Sequence, residues 1–188
     1  VRLWDMATKK ELRALEGHIS RVTTVAFSPD GRVLATSNFD RTVKLWDVST
    51  GNELRKLEGH EARIFPVAFL PDGKGIVTGS FDKTIRVWDA GTGKERRVIE
   101  GHQDGIWALA VSPDGKQVVS ASHDDTIRVW ELATGKELRI LKGHEGAVMT
   151  VALSPDGGII ASGGVDRTVR LWNAADGRLL PRSRYASA

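Results

Sequence analysis

The chain has 188 residues, 40% of them hydrophobic and 27% charged, and its 27 Lys and Arg against 24 Asp and Glu give a formal net charge of +3, the balance of a soluble globular chain. It contains no cysteine, which excludes disulfides, zinc–thiolate sites and thiol nucleophiles and fits a cytoplasmic setting. No apolar run approaches the roughly 20 residues of a membrane span, the N-terminus does not read as a signal peptide, and the basic residues form no stripe, so neither a membrane nor a nucleic acid is expected as partner.

The first strand signal is Val1-Arg2-Leu3-Trp4-Asp5, followed by Glu11-Leu12-Arg13-Ala14-Leu15. The two read as the last two strands of a unit begun before Val1, so residues 1–16 are expected to be a partial unit and the chain a piece of a longer array. The next unit is complete. Val22, Val25 and Phe27 make an apolar strand that stops at Ser28-Pro29-Asp30-Gly31, where proline presets one dihedral and glycine supplies a positive φ. Val33–Ser37 forms a second strand, and Thr42-Val43-Lys44-Leu45-Trp46 a third with alternating polarity. After Ser49-Thr50-Gly51-Asn52 comes a polar fourth strand, Glu53-Leu54-Arg55-Lys56-Leu57. The gradient from apolar to polar puts the first strand at a crowded centre and the fourth at a rim.

The pattern then repeats without slipping. Gly-His stands at 17–18, 59–60, 101–102 and 143–144, a constant step of 42 residues, and Trp4-Asp5, Trp46-Asp47, Trp88-Asp89, Trp130-Glu131 and Trp172-Asn173 keep the same step. A period of this size marks units that cannot bury their own apolar faces and must stack on neighbours. Units are expected at 17–58, 59–100, 101–142 and 143–181, with a tail at 182–188. No stretch has a sustained helical period.

Four polar residues recur where a sheet core should be apolar: His18, Thr36, Asp40 and Trp46; His60, Thr78, Asp82 and Trp88; His102, Ser120, Asp124 and Trp130; His144, Ser162, Asp166 and Trp172. An indole N–H, a hydroxyl, an imidazole and a carboxylate in series can satisfy one another, as buried polar groups must. Such a chain fixes strand register more than it adds bulk stability, since each bond is worth about 1 kcal/mol net while a stranded partner costs roughly 1–3.

Gly-His, Ser-Pro-Asp-Gly, Asp-x-Thr and Trp-Asp together resemble the WD-repeat β-propeller family over essentially the whole chain. The resemblance implies an all-β fold of four complete four-stranded blades plus the partial N-terminal blade, set radially as half or a fragment of a seven- or eight-bladed ring. It also implies that the four recurring polar residues form the family's structural hydrogen-bond tetrad. The departures are Glu131 and Asn173 after Trp, Leu70 in place of Ser before Pro71, and Pro66 within a first strand, which removes a ladder donor there. The evenness of the blades and their Thr-Gly-Lys-Glu-Leu style of turn and fourth strand resemble bacterial members. Four blades would leave two open sheet faces, liabilities that native chains cover. A homodimer closing an eight-bladed ring head to tail would cover them, the N-terminal strand of one chain completing the last blade of the other, where Pro181 cuts the fourth strand short.

Function belongs to residues that break the repeat. Trp107 lies outside the Trp-Asp slot and His123 outside the Gly-His slot. In the family, the positions three and five after the His, and the one before the Asp, ring the channel mouth on one face. Here these would carry Arg21, Phe39, Arg63, Phe65, Phe81, Trp107, His123 and Met149, types enriched in binding hot spots. The alternative is that Phe65, Trp107 and Met149 are covered by the neighbouring blade.

His123-Asp124-Asp125 leaves one His and one Asp once Asp124 joins its tetrad, too few for a metal site. The recurring His–Ser–Asp triplets offer no open nucleophile or oxyanion site, and the glycines serve turns rather than a phosphate loop. No cofactor, metal or catalytic residue is assigned. The expected function is a non-catalytic platform for a protein or peptide with apolar and acidic groups. The alternatives are a sensing propeller of a larger signalling enzyme, or a half-propeller whose main role is assembly.

Overall fold

The computed structural model describes residues 1–181; the tail assigned to 182–188 lies outside the described residues. Those residues form seventeen strands and no helix. β1 (Arg2–Trp4) and β2 (Glu11–Ala14) pair as a two-stranded sheet. Three four-stranded antiparallel blades follow: β3 (Val22–Phe27) to β6 (Glu53–Glu58) through β4 (Val33–Asn38) and β5 (Thr42–Asp47); β7 (Ile64–Phe69) to β10 (Glu95–Ile99) through β8 (Gly75–Ser80) and β9 (Ile85–Asp89); and β11 (Ile106–Val111) to β14 (Glu137–Leu141) through β12 (Gln117–Ser122) and β13 (Ile127–Glu131). The fourth blade holds β15 (Val148–Leu153), β16 (Ile159–Gly164) and β17 (Val169–Asn173). A fourth strand is expected there as well, but a single bridge from Trp172 to Leu179 takes its place. Pro181, which has no N–H, follows at once.

The core lies between blades rather than within them, as units that cannot bury their own faces require. Val43, Leu45 and Leu57 of the first blade pack on Ile64, Val67, Ile76 and Trp88 of the second. Val77, Ile85, Val87 and Ile99 meet Ile106, Val118 and Trp130 at the next junction, and Val119, Ile127, Val129 and Leu141 meet Val148, Val151 and Ile160 at the last. The N-terminal sheet covers only the outer part of the first blade, through Leu3, Leu15, Leu34 and Trp46. Each fully buried aliphatic or aromatic side chain contributes about 1.5–3 kcal/mol relative to exposure, so the junctions carry the stability. Arginines of the outer strands also reach across them: Arg97 donates to the carbonyls of Thr134 and Ala133, both at 2.8 Å, and Arg55 to Gly91 at 3.2 Å.

Every first strand contains a register shift. Pairing steps from Val22 to Thr24, from Ile106 to Ala108 and from Val148 to Thr150, and in β7 from Ile64 to Val67. The irregularity expected from Pro66 is present, but it is the widened form of a bulge common to all four blades. The residues left out of the ladder are Thr23, Trp107, Met149, and Phe65 with Pro66. A bulge re-aims the side chain it carries.

Candidate functional site

The turns sort to two ends of the fan. At one end, the loop after each Gly-His meets the turn between the second and third strands, joined by backbone bonds such as Phe39 N to Arg21 O and His123 N to Gly105 O. At the other end, the Pro-Asp-Gly turns meet the turns after Trp-Asp, as in Val48 N to Arg32 O and Leu132 N to Lys116 O.

The four recurring polar residues meet in every blade at the Gly-His end. Trp46, Trp88, Trp130 and Trp172 donate their indole N–H to Thr36, Thr78, Ser120 and Ser162 at 2.8–2.9 Å. The same hydroxyls lie 2.6–2.8 Å from Nε2 of His18, His60, His102 and His144. An indole can only donate, so the hydroxyl accepts from it; the carboxylate beyond the imidazole can only accept, so Nδ1 carries the ring proton and the hydroxyl gives its own proton to Nε2. Nδ1 donates to Asp82, Asp124 and Asp166 at 2.7–2.8 Å and to Asp40 at 3.3 Å. The first blade is looser in a second respect: Asp82, Asp124 and Asp166 also accept the backbone N–H of Glu61, Gln103 and Glu145. Burial pushes Asp82 and Asp124 up, yet the bonds they accept from His60 and His102, and then from Thr84 and Thr126, outweigh it and hold both carboxyls well below the usual range. At His18 burial dominates and lowers the imidazole, with Asp40 opposing.

The Gly-His glycine is part of this arrangement. Gly101 sits at φ +149°, and a Cβ there would lie 2.7 Å from the Trp130 ring. Only glycine fits both the dihedral and the space.

The candidate binding residues sit on the same end, and the bulges bring most of them together across blades. Phe65 lies between three rings, with centroids 5.3 Å from Phe39, 5.0 Å from Phe81 and 4.3 Å from Trp107. Trp107 reaches Phe81 at 5.2 Å and His123 at 5.1 Å. Arg63 and Arg21 stack on Phe39 at 5.0 and 5.7 Å. Arg63 is three residues past its His, and in the next blade that slot is Gly105, over whose backbone the Phe81 ring lies directly; a Cβ there would come within 2.9 Å of it. Met149 occupies the equivalent bulge of the fourth blade, half-buried, and contributes no ring.

Phe39, Phe65, Phe81, Trp107 and His123 are all half-buried, so neighbouring blades cover them in part and leave a shared apolar surface, while Arg21 and Arg63 are exposed. The indole N–H of Trp107 is buried without a hydrogen-bond partner. Native chains rarely leave such a group unpaired, and doing so costs about 1–3 kcal/mol. A cleft of about 450 Å³ opens at the Gly-His end between residues 82–84 and residues 100–103. At the opposite end, clefts of about 380, 520 and 460 Å³ recur at the three junctions between the four blades, the second lined by Leu70, Val87, Arg96 and Leu132 among others. Their recurrence makes them products of the wedge between sheets.

Sequence reasoning left out the charges that frame the rim. Arg41, Lys83, Asp125 and Arg167 occupy the residue after each tetrad Asp, all exposed and all at φ between +62° and +72°. They break the repeat in charge while keeping its conformation, and that contrast was the available signal.

Residues 9–47, 51–89, 93–131 and 135–173 match the family described as WD domain, G-beta repeat. One stretch of 46 residues, 23% of the chain, is 50% identical to the target of rapamycin complex subunit wat1 of Schizosaccharomyces pombe (strain 972 / ATCC 24843), of which it spans 15%. That relative is a yeast protein and lends no support to the resemblance to bacterial members.

Proposed function

The chain belongs to the WD domain, G-beta repeat family, and on that premise we propose that it is a non-catalytic platform holding a protein or peptide partner on its Gly-His end. The observation that carries this reading is the ring cluster of Phe39, Phe65, Phe81, Trp107 and His123, stacked across three blades and flanked by two exposed arginines. Aromatic side chains supply large contact area at little entropic cost and Arg supplies charged and polar contacts, which is why both types are enriched in hot spots. The similar stretch of the yeast protein lies in a subunit of a complex, in keeping with an interaction role. The lack of cysteine favours a cytoplasmic setting.

The test uses the chain's own alternative residue. Thr23 fills the same bulge in the first blade, so Phe65→Thr with Trp107→Thr is a substitution the fold already accepts. The immobilised chain and this double variant are panned against a random-peptide phage library. Sequences enriched on the parent and absent from the variant support the platform; the same sequences enriched on both defeat it.

A second reading, assembly with another copy, is favoured by the end faces. Val43, Ile85 and Ile127 are 0–1% exposed, whereas Val169 in the same slot of the last blade is 74% exposed. Val25 and Phe27 on the first blade are 50% and 53% exposed, although Val67 and Val151, the counterparts of Val25, are 5% and 8%. A second copy presents the surface that each internal junction already uses, and the contact is heterologous, closing a ring where its rotation allows. Light scattering decides: a mass fixed at 20.5 kDa across concentrations refutes assembly, and a larger mass abolished by Val169→Lys supports it.

A further inference from the structure

The rim is polarised along its length. Outside the buried tetrads, Arg21, Arg41, Arg63 and Lys83 on the loops of the first two blades stand against Glu16 and Glu61, leaving +2; on the third blade Glu100, Asp104 and Asp125 leave −3; on the fourth, Lys142 and Arg167 against Glu145 leave +1. All of these side chains are exposed, and none takes part in an ion pair among the described residues. Between the two ends lie the rings. The path from Phe39 to Phe65, Trp107 and His123 runs in centroid steps of 5.3, 4.3 and 5.1 Å. An extended chain advances about 3.3–3.6 Å per residue, so about four or five residues cover that path.

We infer that this face takes an extended partner segment with an acidic residue seated among Arg21, Arg63 and Lys83, apolar residues on the rings, and a basic residue against Asp104 and Asp125. The inference rests on the platform reading and deepens it by naming the partner's chemistry. Three features support it. The charges make no ion pair among the described residues, so an incoming group of opposite sign has no existing pair to break. Arg63 and Arg21 are held over Phe39, which orients their guanidinium groups before the partner arrives and lowers the cost of ordering them. Finally, the two ends repel the wrong arrangement, because an all-acidic segment meets Asp104 and Asp125 and an all-basic one meets the arginines; this is how charge gives specificity more than raw affinity.

The chain again supplies its own variants. Lys83 and Asp125 occupy equivalent turn positions at φ +72° and +65°, so Lys83→Asp and Asp125→Lys each install a residue that the fold already tolerates there. Random-peptide phage selection on the full chain is expected to enrich sequences with an acidic and a basic residue about four or five apart and apolar residues between. By fluorescence anisotropy, Lys83→Asp is expected to weaken such a peptide roughly threefold to tenfold at low salt, an effect that fades as salt screens it. Selection on Asp125→Lys should lose the basic residue from the enriched sequences. Peptides that need Phe65 and Trp107 but carry only one sign of charge, or ignore both swaps, overturn this inference and leave the platform standing. Peptides that do not need Phe65 and Trp107 overturn the platform and this inference with it.

Discussion

Replacing Asp124 with Ala removes the last link of the third blade's polar chain, and the structure sets the size of the effect. Asp124 Oδ2 accepts from His102 Nδ1 at 2.7 Å and from the Gln103 N–H at 2.9 Å, while Oδ1 accepts from the Thr126 hydroxyl at 2.6 Å and its N–H at 3.1 Å. The His102 side chain is 0% exposed, so its ring proton finds no water once the carboxylate is gone, at a cost of about 1–3 kcal/mol. Gln103 is exposed and Thr126 half-buried, so water replaces much of what they lose and together they add about 1 kcal/mol. The expected loss is about 2–4 kcal/mol. For a chain of this size each kcal/mol moves the melting temperature by about 2–4 °C, so a fall of roughly 4–16 °C follows. Asp124→Asn keeps an acceptor for His102 and should fall about half as far. Thermal unfolding followed in parallel by far-ultraviolet circular dichroism and tryptophan fluorescence measures both variants. A melting temperature for Asp124→Ala within about 1 °C of the parent would refute the view that this buried chain of bonds holds the blade.

Three further outcomes are expected. Gly101→Ala combines a positive φ with a Cβ 2.7 Å from the Trp130 ring and should cost about 2–5 kcal/mol in chemical denaturation; a loss below about 1 kcal/mol contradicts the packing described. Arg97→Ala, which removes two bonds to the next blade's turn, should lower stability by about 1 kcal/mol, and Arg97→Lys should recover little because a lysine cannot span both carbonyls. Stability should also fall with pH in two stages. His18 is held below its ordinary 6.5, so its contribution is full above that pH and declines as the unfolded chain protonates first. Asp40, Asp82, Asp124 and Asp166 are held below their ordinary 3.8, so theirs persists to about pH 4 and is lost below it. A melting temperature flat from pH 7 to about pH 3 would contradict both stages.

The repeat made the scaffold readable because each strand is marked by what it must do. Ser28 and Asp30 bond across the Pro-Asp-Gly turn at 2.6 Å, and the carboxylate of Asp47 accepts from Thr50 to close the next turn. Even the departures have structural answers, since Asn173 accepts from the N–H of Asp176, the counterpart of Thr50, at 3.3 Å. The tetrad residues were legible for a similar reason: donors and acceptors at a fixed step can satisfy one another in only one order. What the sequence hides is the bulge at Thr23, Phe65, Trp107 and Met149. An extra residue in a strand leaves alternation intact on either side, and only Pro66 hints at it. The stacking of Phe39, Phe65 and Phe81 is hidden as well, because these residues lie on different blades and meet only through the angle between sheets. The arginine bonds from one blade's outer strand to the next blade's turn escape sequence reading for the same reason: Arg97 and Thr134 are 37 residues apart.

Recognition on the cross-blade ring cluster is read from the indole N–H resonances of the ¹⁵N-labelled chain. Its six tryptophans are distinguishable in role: Trp46, Trp88, Trp130 and Trp172 donate to buried hydroxyls, Trp4 is 54% exposed, and Trp107 alone has a buried N–H without a partner. Titration with a peptide enriched by the parent chain is predicted to move the Trp107 resonance and leave the four tetrad indoles in place. A peptide that binds while Trp107 stays still, or that moves the tetrad indoles instead, would place recognition away from the ring cluster.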